Sequence, residues 1–486
     1  MDGPDAYPEL QLGCLAPATP IDETLAKVQR VVADGVRPLA RVSDVLRRNR
    51  IVLLAVHNLE AAEHPLGREL IEELAPFAAE RLRRAESLRR SEQLLEELGV
   101  ALGIPVWGIK GLAARHGYPD PALRELRDAD TSVATVREAF ELAEELRRHG
   151  FDTDRGEVPW IKQDADAIPY GQYKLIGPAG HTAVDIHFGP GYSTGHCGLL
   201  PMPRPTEPGL RPLPIAANLR PMTGNSGGDV HITVKDVNDL WTAAGILDPA
   251  AAASLARDAR AAALNRHLAG VARLTAAMTT VGEGRREIID VLAAGARRPA
   301  RPVIATGPMA RTAPVRVLRT TGRAYTQAAA HTRSVPARLG AVAGAFAFYV
   351  VNPRPRVAKA PALTRRPAPW RCVRLIPLGL AETLDRQGPD SAGQWAGDHL
   401  ALPGDPRGPE TTPGAGEPET GRSARPTRGA PDDELLRWTA DRTVLTCNDA
   451  VYISTVWGVL PRAVVRGAGL RTQQQADAAR ATGRAA

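Results

Sequence analysis

A chain of 486 residues is long enough for about two or three domains and a sizeable core, yet aromatics make up 4% of it while 45 glycines and 42 prolines punctuate it. Its 4 cysteines, Cys14, Cys197, Cys372 and Cys447, lie far apart with no C-x-x-C spacing, which argues against a disulfide framework and a thiolate zinc site and for a reducing compartment. The net charge of +7 is uneven, with 16 basic residues and no Asp or Glu between Val291 and Ala381. No apolar segment of signal-peptide type follows Met1. The longest apolar run, Leu339 to Val351, is shorter than the roughly 20 residues of a membrane helix. A soluble, cytoplasmic protein without a membrane partner is the expectation.

In chain order, residues 20–100 read as helices. "DETLAKVQRVVADGV" has an Asp in cap position, and "SDVLRRNRIVLLAVHNLEAA" follows a Ser-Asp start. "GRELIEELAPFAAERLRRAESLRRSEQLLEELGVALG" is amphipathic throughout, and its internal Pro76 predicts two helices or a kink. Ile104 to Ile109 reads as a short buried strand ending on Lys110-Gly111. "LAARHGY" is a short helix, "PDPALRELR" a turn, and "DADTSVA" a second strand. "TVREAFELAEELRRHGFD" is a helix ending at Gly150, with basic residues in its last turn. "QYKLIGPAGHTAVDIHFG" reads as a hairpin around Gly-Pro-Ala-Gly. Residues 193–228 are Pro/Gly-rich and read as loop, and helical pattern returns from 229 to 290.

The division is therefore an N-terminal helical region (1–95), an α+β core (96–192), a loop (193–228) and a second helical region (229–290). A basic and then low-complexity stretch (291–431) has little helical or strand period and suits disorder. In 432–486, "RTVLTCNDAVYISTVWGVL" suggests a strand pair. The basic block is also the footprint a nucleic-acid partner would select.

The chemistry concentrates between residues 104 and 188. On a strand, residues i and i+2 face the same way, so Asp128 and Asp130 present both carboxylates on one side. Two like charges that close favour a cation between them, and oxygen ligands favour Mg²⁺ or Mn²⁺. Asp185 adds a third carboxylate if its strand lies beside the first. Three carboxylates around divalent metal suit in-line phosphoryl or nucleotidyl transfer. At the other end of the stretch, a strand closing on Gly111 lets backbone N–H groups approach phosphate oxygens, and Lys110 adds a cation.

These residues, in this order, resemble a family of uncharacterised nucleotidyltransferases in the DNA polymerase β-like superfamily. The elements that carry the resemblance are Lys110-Gly111, "YPDP" at Tyr118 to Pro121, Arg124, Asp128 and Asp130, "HGFD" at His149 to Asp152, and "VDIHF" at Val184 to Phe188. "VHITVKDVNDLW" resembles the helical segment that follows them. The resemblance implies an α+β fold, a minimal nucleotidyltransferase mixed sheet flanked by helices. N-terminal and C-terminal helical segments and a largely irregular C-terminal tail complete the expectation. It implies Asp128, Asp130 and Asp185 as catalytic metal ligands, Asp185 alternatively as general base, with Mg²⁺ as cofactor and Mn²⁺ as a substitute. Lys110, Gly111 and Arg124 belong to the nucleotide side, Arg124 either pairing with a phosphate or, the reading we favour, locking the Asp-bearing loop. The implied partners are an NTP such as ATP and a hydroxyl acceptor, be it a small molecule, a peptide or an RNA end.

Three other readings compete. His181, Asp185 and His187 share strand parity and suit Zn²⁺ or Fe²⁺. "GNSGG", Gly224 to Gly228, fits G-x-S-x-G but lacks the strand before it that a nucleophile elbow needs. A chain with a degenerate metal site would serve instead as a binding or adaptor module. A second Asp-x-Asp, Asp164 and Asp166, has no such context.

Overall fold

The structure, a computed structural model, describes residues 7–36, 38–153, 159–163, 169–192, 199–228, 232–262 and 264–296. Beyond these it describes short segments between 335 and 470, the longest being 373–387. The chain divides into two units, Met1–Val351 with Pro367–Cys372, and Asn352–Arg366 with Val373–Ala486.

The first unit opens with helices α1 (Ile21–Ala33), α2 (Leu39–Arg48), α3 (Val52–Glu60) and α4 (Pro65–Leu102). Helix α4 is continuous through Pro76, so of the two expectations, two helices or a kinked one, the first is corrected to one long helix. Pro76 lies on the exposed side, where water can satisfy the carbonyl that loses its partner. Buried Leu66, Leu70, Leu74, Leu88, Leu95 and Leu98 anchor the helix on both sides of it.

A mixed sheet follows. Its strands are β1 (Pro105–Gly108), β2 (Asp128–Val133), β3 (Asp152–Thr153), β4 (Trp160–Gln163), β5 (Pro169–Ile176), β6 (Ala183–Phe188) and β9 (Gly209–Pro212), in the order β4-β5-β6-β2-β1-β9, with β3 also on β5. A two-stranded ribbon of β7 (Gly191–Tyr192) and β8 (Leu200–Pro201) stands apart. The expected hairpin is present, β5 pairing antiparallel with β6. Strand β2 pairs parallel with β6 and antiparallel with β1.

Alternation along the strands splits the sheet into two faces. Ala129, Val133, Val184, Ile186, Phe188, Tyr173 and Leu175 are buried on one face. There α6 (Val136–Arg148), started by a Thr135–Glu138 capping box, sets Phe140 edge-on to Tyr173 and Phe188, at 5.3 Å and 6.3 Å between ring centroids. Asp128, Asp130, Asp185, His187, Gln172 and Lys174 fall on the other face.

The remaining helices are α5 (Gly111–Ala114), α7 (Ile215–Gly228), α8 (Val234–Ala244), α9 (Pro249–Ala261), α10 (Asn265–Met278) and α11 (Glu283–Ala294). Within 193–228, the described residues 199–228 are thus not the loop their Pro and Gly content suggests. They contribute β8, β9 and α7, a helix that contains Pro221. Burial of Asn218, Leu219 and Thr223 outweighs the poor intrinsic propensity there. The two helical regions, far apart in sequence, share one core in which Leu12, Leu25, Leu46, Leu59 and Leu70 lie with Val237, Leu240, Leu255, Leu268 and Leu292.

In the second unit, β12 (Leu436–Trp438), β13 (Val444–Cys447), β14 (Ala450–Thr455) and β11 (Val373–Pro377) run as consecutive antiparallel neighbours. The C-terminal strand pair read from "VLTCNDAVYIST" is therefore present. Strand β10 (Arg356–Ala358) pairs with β15 (Val459–Pro461), and α12 (Leu378–Gln387) follows β11. Strands β10 and β11 and helix α12 fall where sequence showed little period. Most of 297–435 lies outside the described residues. Among the described residues, no helix is long and apolar enough to cross a membrane.

Candidate active site

Register creates the site. In the parallel β2–β6 pair, Asp130 stands opposite Asp185 and Ser132 opposite His187, while across β5–β6 Lys174 stands opposite Asp185 and Gln172 opposite His187. The three carboxylates therefore share one face, but in unequal surroundings. Asp185 and His187 are 4% and 2% exposed. The Asp128 side chain is the more open, with Lys174 Nζ 3.7 Å from its Oδ2.

Lys110 closes the cluster from the end of β1. Its Nζ donates to Asp130 Oδ1 at 2.7 Å and lies 4.9 Å from the centre of the Tyr192 ring. To reach there its backbone takes φ +52°, a conformation that non-glycine residues avoid. Buried Asn218 of α7 holds it, accepting from the Lys110 N–H at 2.6 Å and donating Nδ2–H to the Lys110 carbonyl at 2.8 Å. A Cβ on Gly111 would stand 2.2 Å from Leu126 Cδ2, so any larger residue there would have to move that leucine.

A relay supports Asp185. Gln172 Nε2 donates to its Oδ2 at 2.6 Å, and Trp160 Nε1 donates to Gln172 Oε1 at 3.1 Å. Thr131 Oγ1 donates to the Asp185 carbonyl at 3.2 Å, tying β2 to β6. His187 Nε2 is 3.5 Å from Asp185 Oδ2 and 4.0 Å from Asp130 Oδ1, and its ring leans on Tyr192 at 4.7 Å.

Burial and charge set the protonation states. Burial pushes Asp130 up to about 7, Lys110 opposing and Asp128 and Asp185 adding to the rise. Burial also works against the charge on Asp185, but His187, Lys110 and Lys174 outweigh it and hold the carboxyl below the usual carboxylate range. Burial disfavours the Lys110 ammonium, yet Asp130, Tyr192 and Asp185 more than offset this and keep it protonated. His187 is pushed below the ordinary imidazole value by burial and by Lys110, against Asp185, which leaves it neutral at pH 7.

These residues fit a divalent cation. Asp130, Asp185 and His187 each offer a ligand atom within 4.8 Å of the others. Among the described residues, Asp185 Oδ1 and both ring nitrogens of His187 are buried without a hydrogen-bond partner. Three carboxylates face two ammonium groups, Lys110 and Lys174, so the face has an excess of negative charge to balance.

Arg124 is elsewhere. Its Nε and Nη2 donate to Asp239 Oδ1 and Oδ2 at 2.8 Å and 2.6 Å, and Tyr118 Oη donates to the same Oδ1 at 2.9 Å. His181 lies before β6, with Ser91 Oγ 3.4 Å from its Nδ1 and Phe151 against its ring, so Asp130 and not His181 joins Asp185 and His187. Gly224 to Gly228 fall inside α7, with no strand leading into them. Asp164, Asp166 and Cys197 lie outside the described residues. Asn218, Gln172, Lys174 and Tyr192 escaped the sequence reading. Only the β5–β6 pairing carried a signal for Gln172 and Lys174, and Asn218 sat in a stretch read as loop.

No curated protein and no solved structure gives a significant match. The model of the family described as uncharacterised nucleotidyltransferase matches residues 39–201, which hold Lys110, Asp128, Asp130, Asp185 and His187. The part of the chain that builds this sheet face is thus similar to the nucleotidyltransferase family over residues 39–201.

Proposed function

We propose that the domain transfers a nucleoside monophosphate from an NTP to a hydroxyl acceptor in an Mg²⁺-dependent reaction. The acceptor oxygen bonds to the α-phosphorus, the bond to the β-phosphate oxygen breaks, and pyrophosphate leaves. The observation that carries this reading is the register of Asp130 against Asp185 on neighbouring parallel strands, facing the same way as Asp128. A bound divalent cation would polarise the phosphate oxygens and offset the charge that builds up in transfer. Asp130 and Asp185 are the residues to hold it, with Asp128 at the open edge. Asp185, steadied by Gln172, serves in this scheme as ligand rather than as general base, because its carboxyl is held below the usual carboxylate range, and the proton of the acceptor hydroxyl passes to solvent. Lys110 and Gly111 stand on the triphosphate side. Arg124 takes no phosphate in this scheme, because Asp239 engages both ends of its guanidinium.

The test needs no knowledge of the acceptor. ATP, GTP, CTP and UTP are titrated calorimetrically into the full chain with and without Mg²⁺, beside an Asp128→Asn/Asp130→Asn variant whose fold is checked by circular dichroism. Binding of an NTP that needs both metal and carboxylates is the expected result. Binding that survives in the variant would remove the site assignment. Absence of binding by folded wild type would leave a nucleotidyltransferase-like binding module in place of an enzyme.

A further inference from the structure

Transfer by carboxylates alone gives His187 nothing to do. The residue is 2% exposed, yet among the described residues neither Nδ1 nor Nε2 has a partner in good hydrogen-bond geometry, Asp185 Oδ2 standing 3.5 Å from Nε2. Leaving a buried polar atom unsatisfied is unfavourable, and a Leu or Phe would fill the space without that cost. The imidazole does not point into the apolar layer under α6, where Val184, Ile186 and Phe188 go. It shares the parity of Asp185 and stands at the carboxylates, Nε2 3.5 Å from Asp185 Oδ2 and 4.0 Å from Asp130 Oδ1. Asp185 Oδ1, also buried, is unpartnered as well. An unsatisfied nitrogen beside an unsatisfied carboxylate oxygen is what a metal ligand set looks like before the metal is added.

The donor set decides which metal. Mg²⁺ takes oxygen ligands and keeps its waters, whereas imidazole suits first-row transition cations. We propose that Asp130, Asp185 and His187 form a mixed oxygen and nitrogen site that takes a first-row transition divalent cation in preference to Mg²⁺. The inference rests on the transfer reading only in setting this cation at the transfer site; the ligand set stands on its own geometry. Lys110 does not preclude it. Lys110 cancels one of the two carboxylate charges of the set, so a divalent ion leaves the cluster with a net positive charge that favours a phosphate ligand.

Mn²⁺ is the probe. Its binding to the full chain is followed by loss of the free-ion electron paramagnetic resonance signal, alone and with ATP, and Mg²⁺ is titrated in as competitor. Electron spin echo modulation then asks whether a ¹⁴N nucleus couples to the bound ion. The expected result is Mn²⁺ bound about tenfold or more tighter than Mg²⁺, with nitrogen coupling. In His187→Gln the coupling disappears and Mn²⁺ affinity falls about tenfold or more, while Mg²⁺ affinity holds. Bound Mn²⁺ without nitrogen coupling in the wild type overturns the proposal, and needs no variant to fold. Equal affinity for the two metals, or no Mn²⁺ bound with or without ATP, overturns it too. The two readings separate cleanly. Nitrogen-coupled Mn²⁺ with no NTP binding keeps this site and removes the transfer reaction, whereas ATP-dependent metal binding without nitrogen coupling does the reverse.

Discussion

Arg124 sits between two roles in sequence, phosphate ligand or internal lock, and its partner decides between them. Its guanidinium and Asp239 are 6% and 2% exposed and meet through two hydrogen bonds, 2.8 Å and 2.6 Å long. Burial works against the Arg124 charge, and Asp239, with Tyr118 and Asp236, more than offsets it. Arg124→Met roughly keeps the side-chain volume but leaves the Asp239 carboxylate buried with, among the described residues, only the Tyr118 hydroxyl to satisfy it. Breaking one side of a buried ion pair costs about 3–5 kcal/mol. Replacing both partners, Arg124→Met with Asp239→Leu, removes the orphaned charge, so the double variant should be clearly more stable than the sum of the two single losses. Urea unfolding followed by tryptophan fluorescence measures all three variants, and Trp241 on α8 lies close in sequence to Asp239. A loss of less than about 1 kcal/mol in Arg124→Met, together with a fall in ATP affinity, would refute the argument. The guanidinium would then serve the phosphates and Asp239 would be incidental.

Two further outcomes follow from single contacts. Asn218→Ala strips both backbone partners from Lys110 at φ +52°, so unfolding free energy should drop by about 2 kcal/mol or more, and Mg²⁺-dependent NTP binding should weaken with it; a fully stable variant with unchanged binding would show the clamp to be idle. Cys14 is fully buried, and burial pushes its thiol up to about 12, so at pH 8 it is uncharged and unreactive; peptide mapping after iodoacetamide should find it unmodified in native protein and modified in urea, and labelling in the native state would contradict the packing described.

How much of this was legible depended on the range of the forces involved. Strands β1, β2, β5 and β6 and helix α6 could be read because short apolar runs, a helical pattern closed by basic residues and Gly150, and a Gly-Pro-Ala-Gly turn specify them over a few residues. Asp128, Asp130 and Asp185 could be read as one face because parity is local, given only that β2 and β6 are neighbours. What could not be read was long-range. Asn218 reaches Lys110 across the sequence through a helix whose own residues, Pro221 among them, disfavour a helix. The partner that fixes Arg124 is Asp239, 115 residues further along the chain, and nothing local pairs the two. His187 was read as a Zn²⁺ or Fe²⁺ ligand only beside His181 and Asp185, since strand parity is local and nothing in the sequence shows that Asp130, not His181, completes the group. Pro76 misled in the opposite direction, because leucines on both sides of it bind the helix to its core.

The same alternation explains why the site and the core are not independent. Val184, Ile186 and Phe188 must face α6, because Phe140 and Tyr173 complete an aromatic cluster with Phe188 there. That requirement alone sends Asp185 and His187 to the opposite face. A slip of one residue in β6 would place both of them under α6 and turn three apolar side chains outward. Register against β2 then follows, with Thr131 Oγ1 tied to the Asp185 carbonyl, and it sets Asp130 beside Asp185. Hydrophobic burial on one side of the sheet thus bears the cost of holding like charges together on the other. Lys110 lessens that cost but leaves an excess of negative charge. A carboxylate set held by its own core, with its charge only partly balanced from within, is prepared for a cation from solution.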